Sequence, residues 1–283
     1  MALHPPAALV AAMLHPLDGG GLRGWTVHPS TVIGIAALGG LYWWRVHQDA
    51  RSPSAAQRLS FVAGLAVLFL SLNGPLHDLS DTYLFSAHMV QHLLLTMAVI
   101  PLLIAGTPGW MLRPALRVPA VATIARAATR PVACFTTFTA TLAIWHIPAV
   151  YDLAMRHHAV HIAQHLCFLV SATLMWWPIM SPLPELPRLS FPKQMLYTFL
   201  LTLPMALIGV IITYASDVLY PAYQTAPRVW GLSPMADQLV GGLIMWVPGG
   251  FVFLAVLTVV FFRWAQRGTD DTAGAQVDWQ PTA

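Results

Sequence analysis

Two boxes of the same form, His88-Met-Val-Gln-His92-Leu and His161-Ile-Ala-Gln-His165-Leu, set pairs of imidazoles four residues apart inside apolar stretches. On an α-helix that spacing turns both rings of a pair to one face, with Gln91 or Gln164 beside them. Two such helices facing each other offer four nitrogen ligands, a set that suits copper, zinc, iron or nickel. Histidine is costly within a hydrocarbon-length segment, so it is retained where it faces a bundle interior and has a partner. A lone histidine there is more often held by a structural hydrogen bond. The duplicated box shifts the reading to metal.

Three further elements end at the same depth. His77-Asp78 lies just beyond the second apolar run, His146 ends the fourth, and Asp237-Gln238 begins the last. His88, His92, His161 and His165 are the primary ligand candidates, with His77 and His146 as exchangeable ligands at the mouth. Asp78, Gln91, Gln164, Asp237 and Gln238 are candidates to orient the rings, since a carboxylate or amide behind a ligating histidine fixes its tautomer. Asp237 reads equally well as a helix cap. Asn73-Gly74-Pro75 breaks the second run and is expected to turn His77 inward. Met89, Met155 and Met235 lie near the boxes, and thioether favours copper(I). Met97, Met175, Met205 and Met245 read as gap-fillers, and His4, His15 and His28 as a solvated segment.

The elements that must position these groups are apolar. The chain of 283 residues is 57% hydrophobic and 9% charged, with its apolar residues in long runs, so it belongs in a bilayer. Seven spans are expected near residues 29 to 46, 59 to 76, 84 to 105, 130 to 147, 159 to 180, 195 to 215 and 236 to 262. The fold class is therefore all-α, a polytopic seven-transmembrane-helix bundle (residues 29–267), preceded by an extracytoplasmic segment (1–28) and followed by a disordered cytoplasmic tail (268–283). Eleven of the fourteen basic residues fall in loops on one side, from Arg45 to Arg267, against Arg23, Arg156 and Arg228 on the other. By the positive-inside rule the N-terminus is outside and the C-terminus cytoplasmic. Eleven of the twelve histidines then lie on the outer side. The loop after the third span is expected to hold a short interfacial helix around Arg113 to Arg126.

The basic residues are scattered, which gives no case for nucleic acid. Cys134 and Cys167 are the two cysteines, on different spans near opposite faces, so no disulfide between them is expected, and the sequence has no CxxC or CxxxC. There is no HExxH, phosphate-binding glycine loop or nucleophile elbow, and no covalent catalysis is required of the chain. Three chemistries remain: copper handling, haem binding between histidines of different helices, and di-iron oxidation. Histidines four apart in each helix would crowd one macrocycle, and di-iron boxes of this type belong to a cytoplasmic face. A copper transporter would need polar groups through the inner halves, where Thr96, Met97, Thr173, Met175 and Thr258 are the main candidates.

In their order and relative spacing, His77-Asp78, His88 to His92, Trp145-His146, His161 to His165 and Asp237-Gln238 resemble the CtaG family of seven-helix cytochrome c oxidase assembly proteins, associated with caa-type oxidases. The resemblance covers nearly the whole chain apart from its tails. It implies a multi-pass protein of the bacterial inner membrane needed for maturation of the oxidase, with delivery of copper as the usual proposal. Cytochrome c oxidase subunits and an extracytoplasmic copper donor are the partners it implies.

Overall fold

The computed structural model of the protein describes residues 25–277, with side chains through 267. The expected segment 1–28 and its His4 and His15 fall almost wholly outside the described residues. The described chain is helical throughout and contains no strand. Ten helices carry the architecture: α1 (Pro29–Gln48), α2 (Ala55–Leu72), α3 (Pro75–Thr82), α4 (Phe85–Gly106), α5 (Pro119–Ala128), α6 (Pro131–Trp145), α7 (Pro148–Arg156), α8 (His158–Met180), α9 (Phe191–Thr213) and α10 (Pro234–Val277). Most begin at a proline, whose missing N–H falls where a helix has no partner for it. α2 instead begins with a capping box, Ser54 accepting from Gln57 N while the Gln57 side chain accepts from Ser54 N.

Five helices are long and apolar enough to cross a membrane: α2, α4, α8, α9 and the Pro234–Arg267 part of α10. The pair α6 and α7, bent by 74° between Trp145 and Pro148, makes six if it counts as one span. Seven are expected from the sequence. The two not among the five are α6, with only 15 residues, and α1, which has 20 residues but carries Arg45, His47 and Gln48 at its end. The loop read as interfacial holds a 3-10 turn over Arg113–Arg117 followed by α5, which begins only at Pro119 and has Arg126 in its last turn. α10 runs on to Val277, into the stretch read from sequence as a tail.

α4 lies at the centre, the most buried of the five spans, packed by α2, α3, α8 and α10. Small residues let the backbones close up. A Cβ at Gly241 of α10 would strike the ring of Phe85 on α4, and one at Gly106 of α4 would strike the Phe61 backbone of α2. Leu59, Val62, Val170, Leu207, Ile211 and Phe251 are exposed on the outward faces, as lipid contact requires.

Just past His92, α4 opens into a π turn over Leu94–Val99. Pro101 accounts for part of it, because in α register its ring would clash with the carbonyl of Met97. In π register the carbonyl of Thr96 would pair with the N–H of residue 101, which proline lacks. The indole of Trp176 on α8 donates to Thr96 O instead, at 2.8 Å.

Candidate metal centre

α4 and α8 turn their histidine faces toward each other. One ligand atom from each of His88, His161 and His165 lies within 4.8 Å of the other two, and all three residues are buried. His92 adjoins them, its ring 4.2 Å from that of His88 and 5.5 Å from that of His165. The four residues of the two boxes therefore form one cluster, as their spacing predicts.

Hydrogen bonding fixes which nitrogens are bare. Tyr223 Oη donates to Ser80 O at 2.6 Å, a carbonyl that can only accept. Its one proton is thus committed, and at the 3.2 Å contact with His88 Nδ1 it must be the acceptor. His88 then carries its proton on Nδ1 and presents a lone pair at Nε2, which has no partner among the described residues. His161 repeats the device: Nδ1 lies 3.4 Å from Asp81 Oδ2, and Nε2 is unpartnered. His165 Nε2 and both ring nitrogens of His92 are also buried without partners. Leaving such nitrogens bare costs on the order of 1–3 kcal/mol each unless something binds them. Each of the four rings, when neutral, has one nitrogen lone pair to offer an electrophile, and the set fits a metal ion.

His77 sits differently. Gly74, with φ of +69°, allows the break that starts α3 at Pro75 and turns His77 inward, leaving it 5% exposed. Gln91 Nε2 donates to Ser71 O at 2.7 Å and to His77 Nδ1 at 2.8 Å. Because the carbonyl fixes the amide orientation, His77 Nδ1 accepts and its proton lies on Nε2, 3.4 Å from Asp81 Oδ2. His77 thus directs an N–H at Asp81. His146 is apart from the cluster, beyond Phe168. Its Nδ1 donates to Leu142 O at 2.7 Å, and its Nε2 is bare.

Of the residues expected to orient rings, Gln91 bonds one, that of His77. Asp78 accepts from Thr26 Oγ1 at 2.8 Å and has no hydrogen bond or ion pair to an imidazole among the described residues. Burial raises its carboxyl above the ordinary value. Gln164 is buried with Oε1 unpartnered and bonds no ring. Gln238 accepts from Leu219 N at 2.7 Å and donates to Asp217 O, pinning the chain after α9. Asp237, wholly buried, caps α4, which has Leu84 in the capping position and no cap of its own. It accepts from Phe85 N at 2.7 Å, Ser86 N at 3.1 Å and Ser86 Oγ at 2.5 Å. Its work is to start the helix that carries His88 and His92.

Two functional residues escape a linear reading. Asp81 faces both His77 and His161. Burial works against its charge, but the two imidazoles outweigh that and hold the carboxyl well below the ordinary range. The signal was available, since Asp81 is four residues after His77 on α3 and shares its face, whereas Asp78 is one residue on and points elsewhere. Tyr223 comes from the turn Pro221–Gln224, where no periodicity marks it. His28 is a third departure. Expected in solvent, it is 7% exposed with its ring 4.3 Å from His77, and burial lowers its pKa to about 4.

Fold and site together define a helical, polytopic membrane protein that encloses a histidine cluster between two of its spanning helices. The sequence model of the family described as cytochrome c oxidase caa3 assembly factor matches residues 22–267, and the chain belongs to that family. Similar curated proteins include an uncharacterized protein of Mycobacterium bovis, 27% identical over 203 residues, covering 65% of this chain and 30% of the relative. An uncharacterized protein of Mycobacterium leprae is 24% identical over 259 residues, covering 83% and 38%. The chain thus spans about a third of the length of these relatives. No solved structure matches the chain.

Proposed function

We propose that the protein binds copper as cargo at His88, His161 and His165, with His92 alongside, and aids maturation of the copper centre of a respiratory oxidase. The observation that carries this reading is the convergence of three buried imidazole ligand atoms to within 4.8 Å of one another. Imidazole nitrogen suits copper, and Tyr223 behind His88 with Asp81 behind His161 are the groups that hold each ring in its ligating tautomer. His77 acts through Asp81 in this reading, and Asp237 through the helix it starts.

The seven-span arrangement belongs to the same reading, with α1 and α6 crossing beside the five long helices and the N-terminus outside. The eleven-to-three division of basic residues supports it. The cluster then lies in the outer half of the bacterial inner membrane, within reach of an extracytoplasmic donor and of membrane-embedded oxidase subunits. Cargo passes by ligand exchange, and no covalent reaction is involved. Inward of His92, α4 presents Met97, Ile100 and Ile104 to the apolar core, which favours assembly over transport across the membrane.

Metal analysis of the full chain, purified in detergent and washed with chelator, tests the assignment against a His88→Asn, His161→Asn, His165→Asn variant of unchanged helicity. Copper is expected in the wild type and lost from the variant. Equal copper in both ends the reading.

A further inference from the structure

Beside His92, and lined by neither His88 nor His161, lies a cavity of about 20 Å³ that neither histidine box announces. Its walls include Met89 and His92 from α4, His146 at the end of α6, Met205 from α9 and Met245 from α10. A single water needs about 10–15 Å³ of such space, so the cavity takes one water or one ion. All five side chains are at least nine-tenths buried. His92 has both ring nitrogens unpartnered, and His146 Nε2 is bare because its Nδ1 proton is held by Leu142 O. The sulfur of Met205 occupies space that exists because residue 249 is glycine, where a Cβ would collide with it.

The donors here differ in kind from those of the three-histidine cluster. Thioether is soft, neutral and selects Cu(I), while two imidazoles complete a neutral set. Burying a charge in a low-dielectric interior grows costly with the square of that charge, so a site with no carboxylate favours a monovalent over a divalent ion. We propose that this cavity is a second copper site, specific for Cu(I) and built from His92, His146, Met89, Met205 and Met245. The ring of His92, 4.2 Å from that of His88, links it to the first site, so an ion released by the outer cluster meets a softer ligand set one imidazole away. The inference rests on copper being the cargo of the outer cluster.

The test loads the detergent-purified full chain with Cu(I) in ascorbate under anaerobic conditions and washes it with bicinchoninate. Copper per chain and X-ray absorption at the copper edge are then measured. Wild type is expected to hold two copper ions per chain, with sulfur scattering. A Met205→Leu, Met245→Leu variant, which conserves core volume, is expected to fall to one and to lose the sulfur signal. Wild type with copper bound by nitrogen alone, or a sulfur signal unchanged in the Met205→Leu, Met245→Leu variant, overturns the second site and leaves the outer cluster standing. Sulfur-bound copper retained in full by the His88→Asn, His161→Asn, His165→Asn variant, with wild type holding no more, sinks the outer-cluster reading and keeps this site.

Discussion

Replacing Asp81 by asparagine removes a charge while keeping shape, and so isolates what the carboxylate does for His161. Asp81 Oδ2 lies 3.4 Å from His161 Nδ1 and 3.4 Å from His77 Nε2, at a side chain that is 26% exposed. A hydrogen bond to a charged group contributes about 1.5–3 kcal/mol net. Strong charge-assisted contacts are nearer to about 2.8 Å, so the longer distance and partial exposure place this one at the low end, about 1.5 kcal/mol. At about 1.4 kcal/mol per decade, Asp81→Asn should weaken copper binding roughly tenfold. Asp78→Asn is the internal control, because it alters a neighbouring carboxylate that is bonded to Thr26 and has no hydrogen bond to a ring of the cluster. It should leave affinity within about twofold, as expected of a group with no hydrogen bond to the site. Competitive titration of the detergent-purified chain against a chelator of known copper affinity measures both, with helicity checked by circular dichroism. An unchanged Asp81→Asn, or an Asp78→Asn that weakens binding equally, would refute the argument that the Asp81 charge strengthens His161 as a ligand.

Tyr223→Phe removes the acceptor at His88 Nδ1 and should lower copper affinity about 2- to 10-fold in the same titration, the worth of one neutral hydrogen bond. Tyr151→Phe keeps that contact, losing only the 3.0 Å bond between the two hydroxyls, and should stay near wild type. Asp237→Ala strands two buried backbone N–H groups and the Ser86 hydroxyl at the start of α4, costing about 3 kcal/mol. A chemical-unfolding midpoint equal to wild type would count against this capping role. Trp176→Phe leaves Thr96 O without a donor beside Pro101 and should destabilise the protein by about 1–3 kcal/mol, with faster hydrogen exchange confined first to residues 94–99.

The histidine boxes were legible because helical periodicity states which residues share a face, and His88 with His92, or His161 with His165, needs nothing more than that. The same rule, applied to α3, separates Asp81 from Asp78, and choosing the adjacent residue over the one a turn away picks the carboxylate that binds Thr26. The Asn73-Gly74-Pro75 break was equally legible, since glycine tolerates the positive φ that reverses the chain and proline opens the next helix. Asp237 was ambiguous for a physical reason: a carboxylate near a helix start reads as a cap for its own helix, whereas here it caps α4, 152 residues away from Phe85 in sequence.

What stayed hidden depends on which faces meet. Tyr223 reaches His88 from a four-residue turn whose sequence has no period to read. Met205 and Met245 carry no signal that separates a ligand from a packing residue, because an unbranched apolar side chain on a buried face satisfies both descriptions. Their significance arises from the company they keep. α4, α6, α9 and α10 converge on a space small enough for one ion, and each brings a donor that alone would pass as core. Helix α4 connects the two levels, since His92 both adjoins His88 in the cluster and reaches the cavity wall. His88 is turned toward His161 and His165, while His92 also lines the thioether cavity. A spacing of four residues therefore does two jobs at once. It gathers imidazoles into one cluster and, by the residual rotation of about 40° per four residues, offers the second ring to a different set of ligands.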